Sequence, residues 1–327
     1  MSRILFVLLA LGWLSALAQA PTPTRTPTPI PAPAAAAEAP GTPGLCPTWS
    51  DPVAAGSLDP ARFPETSGMQ LSRDGERLFV INDGREPVFH VAAPDGGAPR
   101  AVRVAGFAPF DLEDLAYGRC GDGQCLVIGD IGDNAHRRRD VQIALVADRD
   151  VYPDTVEPFA VVVASYPDGP QDAESIALDP AGDLWLVSKS PAGRLEPARL
   201  YRLPAAALAA GGEHDLEAVG EIDLAAVGSS ALNRRRIVTS MDIAPDGERF
   251  VLLTYEGAVE FGFAPGRGLP GRNGWQAGHT HRLIATQAMI QAESISYADG
   301  GRSVLYTTES IGGSPVPIVR QHCADSP

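Results

Sequence analysis

The chain has 327 residues, 44% hydrophobic and 20% charged, with a formal charge of −14. This apolar share can bury a core, which excludes an intrinsically disordered chain, and the acidic balance argues against nucleic-acid and anionic-membrane partners. Glycine (34) and proline (30) are abundant without a collagen period, so many turns must join short elements and long helices are not expected.

Arg3 precedes a mainly apolar run from Ile4 to Leu17 and the small-x-small triplet Ala18-Gln19-Ala20. These features predict a secretory signal peptide over residues 1–20, cut after Ala20, and hence a periplasmic or extracellular protein. The run is shorter than the roughly 20 residues that cross a bilayer, and no later segment is long and apolar enough to span one. Residues 21–43 hold eight prolines. Such a segment cannot pack a core and reads as an extended tether. The globular domain is then expected over 44–327.

Export permits disulfides. Cys120 and Cys125 flank the turn-forming Gly121-Asp122-Gly123-Gln124, while Cys46 and Cys323 are the first and last cysteines of the domain. Pairing Cys120 with Cys125 staples a hairpin, and pairing Cys46 with Cys323 joins the domain's two ends. A tetrathiolate metal site lacks the two C-x-x-C pairs it needs.

One phrase then recurs five times: two polar positions, an alternating strand, a turn mostly of the Asp-Gly kind, and a second strand rich in branched residues. The copies are ETSGMQLSRDGERLFVIND (65–83), DLEDLAYGRCGDGQCLVIGD (111–130), DAESIALDPAGDLWLVSK (172–189), IVTSMDIAPDGERFVLLTY (237–255) and QAESISYADGGRSVLYTTE (291–309). Each reads as a β-hairpin. Further strand-like segments follow the copies, giving four short strands per unit, which is the blade of a β-propeller. The last unit supplies only a third strand, PIVRQHC, and the segment TWSDPVAAGSL after Cys46 can complete it. The predicted fold is therefore an all-β propeller of five four-stranded blades closed by the N-terminal strand, or six if the connections at 190–236 or 257–285 hide another. A β-sandwich gives no reason for the phrase to recur.

Aligned on their apolar residues, the copies place polar groups in three columns. The first is Glu65, Asp111, Asp172, Ile237 and Gln291; the second, two residues on, is Ser67, Glu113, Glu174, Thr239 and Glu293. A spacing of two puts both on one strand face. The third ends the second strand: Asp83, Asp130, Lys189, Tyr255 and Glu309. In a hairpin the start of one strand lies beside the end of the next, so all three converge on one mouth of the ring.

Crowded carboxylates repel, by about 4 kcal/mol for two charges at 4 Å in an effective dielectric near 20. Protons, Arg or Lys, or a hard divalent cation such as Ca²⁺ can offset this. The metal candidates are Glu65, Asp111, Glu113, Asp130, Asp133, Asp172, Glu174, Glu293 and Glu309. The competing structural account is that blade-start polar residues tie neighbouring blades together through backbone hydrogen bonds. After its second strand the second copy reads GDIGDNAHRRRD (129–140), where Asp130, Asp133 and Asn134 offer oxygens and a basic run follows. Lys189, the chain's only lysine, is a counter-ion, a phosphate ligand or an acid catalyst, with Glu113 and Glu174 as its catalytic companions. Asp83, Arg85, His136, Arg137, Lys189 and Tyr255 are the candidate substrate contacts. His279 and His281 form an H-x-H pair without a third ligand and read as surface residues.

At E-x-S-G-M (Glu65 to Met69), D-x-E (Asp111 to Glu113 and Asp172 to Glu174) and the Asp-Gly hairpins, the sequence resembles the secreted phytase-like β-propeller proteins, including the esterase-like activity of phytase group. That resemblance implies an exported propeller that hydrolyses phosphomonoesters with Ca²⁺ held by carboxylates. It makes Glu113, Glu174, Glu293 and Asp130 calcium ligands, and Lys189 and Arg137 phosphate contacts. A propeller that binds a small anionic ligand or a protein at its mouth without catalysis is the second expectation, and glycoside hydrolysis by a carboxylate pair is an enzymatic variant.

Overall fold

The computed structural model describes residues 45–189, 197–224, 237–262 and 281–324. The expected signal peptide and tether lie outside these residues, as does His279. After β1 (Thr48–Trp49) and β2 (Val53–Leu58), blade one is β3 (Thr66–Leu71), β4 (Leu78–Asn82), β5 (Val88–Ala92) and β6 (Arg100–Val104). Blade two is β7 (Leu112–Cys120), β8 (Gly123–Asp130), β9 (Val141–Ala147) and, past the short β10 (Thr155–Val156), β11 (Ala160–Ser165). Blade three is β12 (Ala173–Leu178), β13 (Leu184–Ser188) and β14 (Ala198–Leu203), followed by α1 (Ala205–Ala210), β15 (Gly212–Asp215) and the blade's outer strand β16 (Glu217–Ile222). Blade four is β17 (Val238–Ile243), β18 (Arg249–Thr254), β19 (Gly257–Gly262) and β20 (His281–Ile284); blade five is β21 (Ala292–Ala298), β22 (Ser303–Thr308) and β23 (Val316–Ala324).

The innermost strands β3, β7, β12, β17 and β21 pack each against the next, and β21 returns to β3, so five blades close the ring. No sixth blade occurs among the described residues. The apolar core is accordingly divided into five layers, one between each pair of neighbours. Phe79 and Phe89 of blade one pack on Leu115 and Leu126 of blade two. Trp185 and Val187 of blade three meet Met241 and Phe250 of blade four. Gly68 permits the closest approach at the axis: a Cβ there would lie 2.7 Å from the Leu115 backbone nitrogen.

Both early strands complete blade five. β2 and β1 pair in turn along β23, with Val53 opposite Arg320 and Trp49 opposite Cys323. The Cys46–Cys323 disulfide makes this closure covalent. The Cys46 N–H also donates to buried Glu260 of blade four at 3.0 Å. Cys120–Cys125 staples the β7–β8 hairpin as the spacing suggested. Two strands correct the four-strand expectation: β10 adds to β6 and β15 to β11, both in parallel. They widen blades one and two to five strands and absorb part of the long connections.

The ring axis is polar. Asp114, fully buried, accepts from the backbone N–H groups of Leu115 at 2.8 Å and Ile176 at 3.0 Å, the latter on blade three. Asp242 likewise accepts from Ile243 and, across to blade five, Tyr297. The blade-tying role expected of the acidic columns is thus shared by residues one and three positions past the second column.

Candidate functional site

All five inner strands carry a β-bulge at their start, between Thr66 and Met69, Leu112 and Asp114, Ala173 and Ser175, Val238 and Ser240, and Ala292 and Ser294. In four blades the extra residue is the second-column one: Glu113, Glu174, Thr239 or Glu293. A bulge breaks the period of two and re-aims a side chain, so it is the bulge that directs these glutamates to the mouth. The first-column residues stand one position before their strands. In blades one, three and five their carbonyls accept from the third-column N–H groups: Asp83 to Glu65 and Lys189 to Asp172 at 2.8 Å, Glu309 to Gln291 at 3.0 Å. First and third columns are thereby pinned side by side.

Asp83, Asp111 and Glu113 present one carboxylate oxygen each within 4.8 Å of one another. Burial, then the neighbouring Asp111, Glu65 and Glu309 charges, push Asp83 up to about 6. Burial and Asp172 raise Asp111, and burial with Asp83 and Asp111 holds Glu113 well above the usual carboxylate range. Three features fit these residues to a hard cation. All three donors are oxygens. Asp83 Oδ1 is buried with no hydrogen-bond partner. Gly132 keeps the space beside them open, because a Cβ there would sit 2.4 Å from Glu113 Oε1 and 2.5 Å from Asp111 Oδ2.

Across the mouth Lys189 pairs with Glu174. It also stabilises the charged forms of Glu113, Glu293 and Glu309, and its ammonium lies 6.0 Å from the Tyr255 ring centre. The Tyr255 hydroxyl donates to Glu293 at 3.0 Å. Burial nonetheless carries Glu293 up to about 8. The non-acidic second-column residues close contacts between blades: Ser67 donates to Glu113 at 3.4 Å, and Thr239 to the Ala292 carbonyl at 2.7 Å.

The loop after β8 departs from expectation. Both Asp130 oxygens lie in the fork of the Arg138 guanidinium, at 2.8 Å each, and Oδ1 also accepts from the Asp111 N–H. Asp133 accepts from the Arg138 N–H, and its own N–H donates to Asp172. These carboxylates brace the loop through Arg138. His136 and Arg137, read as substrate contacts, are exposed; Arg138 is the member of the basic run that turns inward. Within a run of three arginines nothing in the sequence singles it out. Arg85 is exposed and stacks 4.3 Å from the centre of Phe110, an exposed ring missed from the sequence that also lies 5.5 Å from Arg138. Arg138 and, less strongly, Arg85 favour the charged form of Asp111. Glu65 is exposed at the same rim, and His281 sits exposed at the start of β20 beside Phe261.

No protein-family model and no curated protein matches the chain. Among solved structures, a gluconolactonase from Xanthomonas campestris is 13% identical, over 84% of this chain and 89% of that one, with a TM-score of 0.44. A virginiamycin B lyase from Staphylococcus aureus is 9% identical over 78% and 65%, TM-score 0.39. A chain of a nidogen/laminin complex is 11% identical over 74% and 72%, TM-score 0.40. The phytase-like resemblance finds no family match to support it, and the chemistry of the mouth is read from its own side chains.

Proposed function

We propose that the protein is an exported propeller whose acidic mouth holds a divalent cation, Ca²⁺ by its oxygen donors, and hydrolyses a small phosphoester there. The observation that carries this reading is the meeting of Asp83, Asp111 and Glu113 from two adjacent blades within 4.8 Å. A bound cation supplies neutralisation of the phosphoryl charge and a more acidic water. Around it, Lys189 is placed to meet a phosphoryl oxygen or give a proton to the leaving group, and Arg85 to meet the anion at the rim. Glu174, with one oxygen on Lys189 and Oε2 buried without a partner, orients that ammonium. Two disulfides support an oxidising compartment and hence export.

The test is metal content by atomic emission, with hydrolysis of 4-nitrophenyl phosphate followed in calcium and in chelator. One bound calcium and chelator-sensitive turnover, both lost in Asp111→Asn and Glu113→Gln, are expected. Calcium binding without turnover on a panel of phosphomonoesters would make the chain a ligand-binding propeller. Absence of any bound metal sinks both the site and the hydrolase reading.

A further inference from the structure

Asp83, Gly84 and Arg85 run past Phe110, Asp111 and Leu112 at the seam between blades one and two. Gly84 bridges Leu112 in antiparallel register, and the Leu112 N–H donates to the Gly84 carbonyl at 2.8 Å. That register sets Arg85 beside Asp111 and one step from Phe110, on the same bridge that brings Asp83 and Asp111 into the carboxylate cluster. The backbone thus fixes both the cluster and, at its edge, the Arg85–Phe110 stack.

The stack has an open side. Phe110 is 50% exposed, although it is a large apolar ring. Arg138 lies 5.5 Å from the ring centre, but its guanidinium is spent on the Asp130 carboxylate and on the Asp130 and Gly132 carbonyls. Arg85 lies 4.3 Å from the same centre and, among the described residues, makes no hydrogen bond or ion pair. A guanidinium stacked on a ring keeps its five N–H donors in its own plane and extends the flat surface of the ring. The rim beside the cluster therefore offers a planar, largely apolar platform edged with anion donors. A sugar or polyol phosphate, hydroxylated throughout, would use only the donors and leave the platform wet. An aromatic ester uses both.

We propose that the substrate of the acidic mouth is an aromatic phosphomonoester, its aryl leaving group lying on the Arg85–Phe110 platform while its phosphoryl group enters the site of Asp83, Asp111 and Glu113. This rests on the phosphoester reading above and adds the leaving group to it. Hydrolysis breaks the bond between phosphorus and the phenolic oxygen and forms one to the oxygen of water. The phenolic oxygen departs with the electron pair and takes up a proton, and the water gives one up. Arg85 and Phe110 select the departing ring.

Phenylphosphonate and methylphosphonate carry the same headgroup, resist hydrolysis and differ only in the body, so calorimetric titration of each into the full chain in calcium isolates the platform. Phenylphosphonate is expected to bind at least about tenfold tighter. Phe110→Ala and Arg85→Lys should bring that ratio within about threefold, the lysine because it keeps the charge and loses the plane. Both positions are exposed, and melting temperatures close to the parent's are expected. Equal binding of the two phosphonates by the parent, or a ratio that survives both substitutions, overturns the platform and leaves the phosphoester reading standing. Failure of both phosphonates to bind in calcium overturns that reading, and the platform with it.

Discussion

The acidic mouth is built of two halves that solve the same electrostatic problem differently. On one side Glu174 and Glu293 share the ammonium of Lys189, and Tyr255 donates a further hydrogen bond. On the other, Asp83, Asp111 and Glu113 crowd together with no cation paired to any of them among the described residues; Arg138 and Arg85 favour the charged form of Asp111, and Lys189 that of Glu113, from outside the cluster. Both halves use the same bulged position on the inner strand, so the backbone is not what separates them. The difference lies in the third column, where blade three has Lys189 and blade one has Asp83. A half with an internal cation is complete as it stands; a half without one remains short of positive charge, which is why calcium is placed there.

Removing Lys189 tests this contrast most severely. Lys189→Met leaves Glu174 buried and unpaired, and should cost about 3–5 kcal/mol in denaturant melts with chelator present. Calcium should then restore more stability than in the parent, because both halves would lack a cation; a neutral substitution would dissolve the distinction. Arg138→Met should cost about 3 kcal/mol by stranding fully buried Asp130. It should also weaken calcium binding, although Arg138 touches no proposed ligand, because it braces the loop that carries Gly132. Parental calcium affinity in a folded Arg138→Met chain would uncouple loop from site. Gly132→Ala pushes a methyl against Glu113 and Asp111 and should lower calcium affinity about tenfold, with only about 1–3 kcal/mol of overpacking cost.

Acidity gives the mildest test. Asp83 and Glu293 keep protons in the folded state up to about 6 and about 8. Carboxylates raised in this way contribute stability that is full below the ordinary carboxylate range and is lost as pH rises through the folded values. In chelator the melting temperature should therefore fall between pH 5 and pH 8, and calcium, which binds the ionised form, should flatten that fall. A chelated protein more stable at pH 8 than at pH 5 would show that the crowding is not felt.

The blades were readable because a hairpin needs only a period of two and a turn signal, both local. The closure was readable because one unit lacked a strand and the opposite end of the domain offered one. The bulges were not, since a two-against-one pairing is a relation between strands that alternation within one strand does not encode. The same limit hid Asp114: in DLEDLAY it reads as one more acid beside Glu113, and only the neighbouring blade's amide at Ile176 turns it into a tie. Arg138 differs from Arg137 and Arg139 by orientation alone. The parallel additions β10 and β15 come from connections whose partners lie far along the chain.

The manner of closure also bears on how the molecule folds. The Cys46–Cys323 bond spans 277 positions, and β1 and β2 find a partner only after β23 has been synthesised. Blades one to four can each collapse from nearby segments, whereas blade five waits for the longest loop in the chain to shut, the step that topology makes slowest. Until then the early strands are unpaired edges open to a second copy. Oxidation of Cys46 and Cys323 should follow this docking, so the rate at which the thiols disappear during refolding is a clock for completion of the ring.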